Sequence, residues 1–301
     1  MKGSWRIEHW KRSWRTAAAL RRAERAVARF PTVAHPRHHG LATELIVSLT
    51  SYPPRFAVLA NTLRSLIDQR VKPDRLVLWI AHDDLAQLPI DVRSLERHGL
   101  EIRACDDLGP FKKLVPALVD YPAATIVTAD DDLYYPPDWL EALIEGARAS
   151  PGEIIAHRVH SARLGDDGRF LPYDEWQWES RQHEDQDHAL VFPTGGAGAL
   201  YPSKSLDTRV TEATIFLRLC PRADDIWFFW MALLAGTKRR ALGTNFGLVA
   251  WDGSQEVGLF ATNVNSQEND KQLIDVEGYF PLCALEAIEE SVERSSDTEA
   301  L

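Results

Sequence analysis

The sequence predicts an α/β protein with a mostly parallel central sheet flanked by helices. Three observations lead there. Short apolar runs recur at LIVSLTSY, RLVLWIA, EIRACDD and ATIVTADDD. Segments with apolar residues at helical spacing lie between them, as parallel neighbours require. Each run also ends in polar residues, which in such sheets puts a candidate ligand edge at the carboxyl ends of the strands. With 301 residues, 45% of them apolar and 26% charged, the chain is ordinary for a globular protein that needs no disulfides.

LIVSLTSY, from Leu45, reads as a buried strand, and RFAVLANTLRSLIDQ as the helix after it. RLVLWIA is a second strand beyond the Pro73–Asp74 turn. EIRACDD is a third, KKLVPALVDY a helix and ATIVTADDD a fourth strand. The polar ends Thr50–Ser51, His82–Asp83–Asp84, Asp106–Asp107 and Asp130–Asp132 should then converge on one edge. The second half is less regular. IIAHRVH reads as one strand, residues 163–188 as a polar, Trp-rich loop, and TGGAGALYP as a glycine turn entering a strand. ADDIWFFWMALLAG reads as a buried helix with an acidic start. Irregular strand and loop follow Gly243, then a short C-terminal helix and an acidic tail.

Residues 1–30 read as a helix rich in Ala, Arg and Trp, with Trp10, Trp14 and Ala18 on one face. Two readings stand: a helix lying on an anionic leaflet, or one packing on its own domain or on a dimer partner. HPRHHG, from His35 to Gly40, reads as a solvated linker, with His38 and His39 as a weaker metal candidate. The expected organisation is a basic helix and linker over 1–40, a catalytic domain over 41–280 and an acidic helix or tail over 281–301.

The net charge of -10 argues against nucleic acid as the main partner. Cys105, Cys220 and Cys283 form no CxxC pair, so neither a disulfide framework nor a zinc site is expected. No run of eighteen apolar residues and no signal-type apolar segment occurs. The expectation is a cytoplasmic protein, and in the leaflet reading of residues 1–30 its contact surface is the inner face of the plasma membrane.

TADDDLYYPPDWL carries the most chemistry. An apolar strand that delivers Asp130, Asp131 and Asp132 together is costly unless a positive group sits there. Hard carboxylate oxygens suit Mg2+ or Mn2+ bridging to a diphosphate. Asp138, beside Pro136–Pro137, reads as the cap of the next helix. In GPFKKL, Lys112 and Lys113 lie where a loop enters a helix, a natural anion site. Ser51 and Tyr52 suit a nucleobase or ribose, Arg55 a phosphate, and Asp83 and Asp107 the same nucleotide-facing edge. Asp225 is the candidate catalytic carboxylate, with Asp224 beside it at the helix start; capping is the bland alternative. Gly195 and Gly196 let backbone approach a ligand closely. His157 and Arg158 point to opposite faces of a strand, so that one faces the acceptor. Trp176 and Trp178 suit sugar stacking or plain packing.

Together SLTSYPPR, QRVKPDRLVLWIA, GPFKKL, TADDDLYYPPDWL, TGGAG and ADDIW resemble a bacterial family of GT-A glycosyltransferases. That family includes the N-acetylglucosaminyltransferase of heparosan-type capsule synthesis. The resemblance covers roughly residues 44–235. It implies a UDP-sugar donor, Mn2+ or Mg2+, and a growing surface polysaccharide as acceptor. Asp130 and Asp132 match the outer positions of the family's DxD motif, with Asp132 the direct metal ligand. Ser51, Tyr52 and Arg55 match the nucleotide-facing strand, Lys113 the diphosphate contact and Asp225 the acceptor-side aspartate. No histidine follows His188, so the C-terminal histidine ligand of many such enzymes has no counterpart. The alternatives are a non-catalytic saccharide-binding scaffold and a sugar nucleotidyltransferase; SYPPR stands where the latter has a glycine-rich loop.

Overall fold

Leu45, Val47 and Leu49 pack on one side of the sheet and Ile46 on the other, the two-residue alternation of a strand buried on both faces. This strand is the centre of the fold. The structure is a computed structural model that describes residues 17–178, 190–243, 249–254 and 268–281. Trp10, Trp14, the middle of the Trp-rich loop and the tail beyond 281 lie outside the described residues.

In chain order, helix α1 covers 17–28, followed by strands β1 (Arg37–His38) and β2 (Leu45–Thr50). Next come α2 (Phe56–Ile67), β3 (Val71–Lys72), β4 (Arg75–Ala81), α3 (Ile90–Arg93) and β5 (Leu100–Cys105). Helix α4 (Val115–Asp120), β6 (Thr125–Ala129), β7 (Leu133–Tyr134) and α5 (Trp139–Ala149) complete the first half. The second half adds β8 (Ile154–Ala156), β9 (Val159–Ser161), β10 (Val191–Pro193) and β11 (Ala199–Tyr201). It closes with α6 (Ala213–Leu219), α7 (Asp224–Leu234), β12 (Arg239–Ala241), β13 (Val249–Ala250) and α8 (Glu268–Tyr279).

The main sheet has seven strands in the order β12-β8-β11-β6-β2-β4-β5. Strands β6, β2, β4 and β5 are mutually parallel, so their carboxyl ends share one edge, as expected. Strand β11 runs antiparallel to both β6 and β8, which returns the chain to the middle of the sheet. One apolar layer under α2 and α5 covers one face; the other, around α7, covers the opposite face. Each fully buried leucine or phenylalanine there contributes about 1.5–3 kcal/mol. Helix α7 is buried from Ile226 to Leu233, which explains its apolar character all round.

Three local expectations are corrected. IIAHRVH is not one strand: β8 belongs to the main sheet, whereas β9 leaves it to pair with β10. The break falls at His157, whose amide bonds the Gly198 carbonyl and whose Nε2 is engaged by the Trp139 carbonyl at 2.9 Å. HPRHHG is solvated at five of its six residues, but it is anchored and not a free linker. β1 pairs with β3, and buried His39 holds Asp74 through Nε2 at 2.9 Å while its Nδ1 accepts from the Leu41 amide. With both nitrogens engaged, His39 serves to anchor the segment to the start of β4. Asp138 occupies the cap position of α5, but its side chain makes no capping hydrogen bond.

Among the described residues no helix is long and apolar enough to cross a membrane. Helix α1 buries Ala23 and Val27 against Trp251 and leaves Arg21, Arg22 and Arg25 exposed. Its described apolar face therefore packs on its own chain.

His157 and His160 carry a pH prediction. Burial lowers both to about 4, against the hydrogen bond that His157 donates to the Trp139 carbonyl and aided by Arg158 at His160. Unfolded histidine titrates near 6.5, so both are neutral and fully stabilising above that pH. Their contribution is lost as pH falls from about 6.5 toward 4, up to about 3 kcal/mol for each. In urea titrations from pH 7 to pH 4, His157→Gln should lose stability less steeply than wild type; parallel curves would refute this.

Candidate active site

The edge at the ends of β2 and β6 gathers carboxylates with their partners. Three consecutive aspartates leave β6, and each is met by a different element. The Lys113 ammonium lies 2.7 Å from Asp130 Oδ1. Ser51 Oγ donates to Asp131 Oδ2 at 2.5 Å. Arg55 is ion-paired with Asp132 and lies 3.6 Å from Asp131. Ser51 comes from the end of β2, and Arg55 from the 3-10 turn Pro53–Arg55 that the proline pair sets up. Lys113 ends the 3-10 turn Gly109–Lys113, and its carbonyl is fixed by Ser48 Oγ at 2.6 Å.

Helix α7 brings two more carboxylates. Asp224 Oδ2 is 3.2 Å from Lys113 Nζ, so Lys113 bridges β6 and α7. Asp225 Oδ1 accepts the Gly195 amide at 2.9 Å. Neither aspartate is the cap residue, which is Ala223; both lie in the first turn, where the helix dipole favours negative charge. The turn Gly195–Ala197 closes the cluster. A Cβ on Gly196 would meet Asp130 Oδ2 at 2.2 Å, so the glycine lets the turn approach that carboxylate without displacing it. Arg158, whose Nε donates to Thr194 Oγ1 at 2.6 Å, lowers Asp130 by its charge.

The electrostatics follow from crowding. Asp130, Asp131, Asp132, Asp224 and Asp225 face Arg55 and Lys113, with Arg158 nearby. Burial, reinforced by Asp132 and Asp130, pushes Asp131 up to about 7 despite Ser51 and Arg55. Burial and then Asp224 push Asp225 to about 7, against Lys113 and the Gly195 amide. Asp132 and Asp224 are also raised by burial and by the charge of Asp130. Burial works against charge at Asp130 too, but Lys113 holds it low. Lys113 itself stays well above the usual lysine range: burial opposes its charge, and Asp130, Asp224 and Asp225 more than offset it.

Among the described residues the ligand atoms gathered closely enough for a metal are those of His38, His39 and Asp74 and not those of the aspartate triplet; the triplet is nonetheless a donor set chemically suited to a divalent cation. Its oxygens are hard, they are in excess over the local cations, and the Asp130 charge disfavours ionisation of Asp132, a repulsion that a cation between them relieves. Asp130 is the more open of the two, with 35% of its side chain exposed.

The sequence matches no family model and no curated protein. Solved structures do resemble the chain. S. aureus TarS (residues 1–349) is similar over 80% of this chain and 73% of that one, at 14% identity and a TM-score of 0.47. The mannosyltransferase PcManGT from Pyrobaculum calidifontis, in complex with GDP-Man and Mn2+, is similar over 75% and 61%, at 13% identity and a TM-score of 0.39. Glucosyl-3-phosphoglycerate synthase from Mycobacterium tuberculosis, with Mn2+, UDP and phosphoglyceric acid, is similar over 38% and 43%, at 16% identity and a TM-score of 0.30.

The remaining predicted residues lie around or outside the cluster. Tyr52 is exposed beside Ser51. Asp83 is exposed at the end of β4. Asp107, mostly exposed, holds the buried Lys112 at 2.6 Å. Trp176 is buried among Phe170, Tyr173 and Phe192, its indole donating to the Leu171 carbonyl; it packs rather than presenting a ring. Trp178 stacks on His160. His157 lies on Trp139. Sequence reading missed Tyr135. Its hydroxyl accepts the Asp130 amide at 2.7 Å and donates to the Gly196 carbonyl at 2.7 Å, joining the triplet to the glycine turn.

Proposed function

We propose that this chain is a metal-dependent glycosyltransferase of the GT-A type, which moves a hexose or N-acetylhexosamine from a UDP-sugar to a saccharide acceptor in surface-polysaccharide synthesis. The observation that carries this reading is the cluster of buried Asp131, Asp132 and Asp224 with half-buried Asp130 and Asp225 at the carboxyl edge of parallel strands. So many carboxylates in one desolvated place destabilise the fold unless a cationic species occupies the site.

Asp130 and Asp132 would hold Mn2+ or Mg2+, which supplies Lewis-acid stabilisation of a departing diphosphate. Ser51 keeps Asp131 oriented behind them, and Arg55 neutralises the inner side of Asp132. The Lys113 ammonium, shared by Asp130 and Asp224, fixes the distance between the donor and acceptor sides. Tyr52, Asp83, Lys112 and Asp107 form the nucleotide-facing rim of this reading, and Arg158, Gly195 and Gly196 the acceptor side. Asp225, held at Oδ1 by the Gly195 amide, takes the proton from the acceptor hydroxyl. A carboxylate raised to about 7 is well matched to that task at neutral pH.

The test is a UDP-sugar panel assayed with Mn2+ and oligosaccharide acceptors. One donor should release UDP slowly alone and faster with acceptor. Asp225→Asn should keep the slow hydrolysis and lower transfer by about a hundredfold. Transfer unchanged in that variant would remove Asp225 as the base, and no release from any donor would count against the whole reading.

The exposed Arg21, Arg22 and Arg25 face of α1 supports peripheral attachment to an anionic leaflet. Replacing all three by Gln should weaken co-sedimentation with phosphatidylserine vesicles; unchanged binding would contradict it.

A further inference from the structure

The aspartate triplet is held from behind through its own peptide groups, by one anchor inside the same motif and two from places distant in sequence. The Asp130 amide donates to Tyr135 Oη at 2.7 Å. The Asp131 carbonyl accepts from Thr62 Oγ1 at 2.9 Å. The Asp132 carbonyl accepts from the Trp251 amide at 3.0 Å. The last two are linked, because Trp251 Nε1 donates to Thr62 Oγ1 at 2.8 Å. Thr62 Oγ1 therefore gives its one proton to the Asp131 carbonyl and accepts from Trp251 with one of its two lone pairs.

Both residues are buried, Thr62 on the inner face of α2 and Trp251 directly after β13, which pairs with β7. The Trp251 ring lies against Ala23 and Val27 of α1 and edge-on to Tyr134, with ring centres 6.0 Å apart. Helix α1 thus closes the outer side of a strap that runs Trp251, Thr62, Asp131.

Three adjacent carboxylates repel one another, and a loop carrying them would relax to spread its charge. Peptide groups pinned at Asp131 and Asp132 prevent that and fix the directions in which the side chains leave the chain. We infer that Thr62 and Trp251 are positioning residues that keep Asp130 and Asp132 in the geometry for the divalent cation. This inference rests on the metal-dependent transferase reading.

The variants to compare in the full chain are Thr62→Val, which keeps the shape and loses the hydroxyl, Thr62→Ser, which restores it, and Trp251→Phe, which removes the indole donor. Two quantities are read: the Mn2+ concentration giving half-maximal UDP binding, and amide exchange at residues 130–133 in metal-free protein. Thr62→Val and Trp251→Phe should raise the Mn2+ midpoint by about tenfold, as losses behind a metal ligand do, and should speed exchange across the triplet. Thr62→Ser should match wild type in both. Variants with a wild-type midpoint and wild-type exchange, whatever their melting temperatures, would overturn the inference alone. Wild-type protein lacking metal-dependent UDP binding would overturn the transferase reading and this inference with it.

Discussion

Asp132→Ala should lower metal-dependent donor cleavage on the order of a thousandfold, the scale of removing one electrostatic stabiliser from a preorganised site. The same substitution should leave the fold intact or make it more stable. Asp132 is buried beside Asp131 and Asp130, and its charge is among the causes that raise Asp131 to about 7. Removing it relieves that repulsion, and Arg55, which loses its ion pair with Asp132, keeps Asp131 3.6 Å away as a partner. Opposite signs for activity and stability are the signature of residues kept for function. Donor hydrolysis with Mn2+, paired with urea unfolding, checks both halves. A variant that loses stability and activity together would make Asp132 a structural residue.

Lys113→Met should destabilise the protein by about 3–5 kcal/mol at neutral pH, the usual result of leaving buried charges unpaired. The Lys113 side chain is 9% exposed and its ammonium serves Asp130 at 2.7 Å and Asp224 at 3.2 Å, so its loss leaves two carboxylates facing each other. The loss should shrink in acid, where those carboxylates take up protons and need no cation. Urea midpoints at pH 7 and pH 4.5 for wild type and variant measure this directly. An equal loss at both pH values would show that the lysine acts by packing its methylene stem.

The first half of the fold is legible in sequence because its strands are buried on both faces and separated by amphipathic helices. β2, β4, β5 and β6 fall where apolar runs predict them. The IIAHRVH break is not legible, since it depends on Gly198 and Trp139 meeting His157 from elsewhere in the chain. His39 is similar: a histidine pair beside a glycine reads as loop, and only Asp74, 35 residues away, makes it an anchor.

The candidate site divides in the same way. The DDD triplet, the lysine pair and the DD start of α7 stand out as charge on apolar backgrounds. Their partners do not. Tyr135 lies inside the motif, yet nothing in DDDLYYPPDWL says which tyrosine turns its hydroxyl to the Asp130 amide. Thr62 reads as an ordinary helical position, and Trp251, 189 residues away, as part of an irregular tail. Trp176 is the converse case: a tryptophan in a polar loop reads equally as sugar stacking or plain packing, and its burial among aromatic neighbours favours packing.

On the proposed function, the carboxylate cluster exists to hold a cation together with a nucleoside diphosphate. Calorimetric titration of UDP into the wild-type protein, with Mn2+ and with EDTA, tests it most directly. Saturable binding with Mn2+ that disappears with EDTA is the predicted result. Absence of UDP binding under both conditions, in protein shown to be folded, would contradict it.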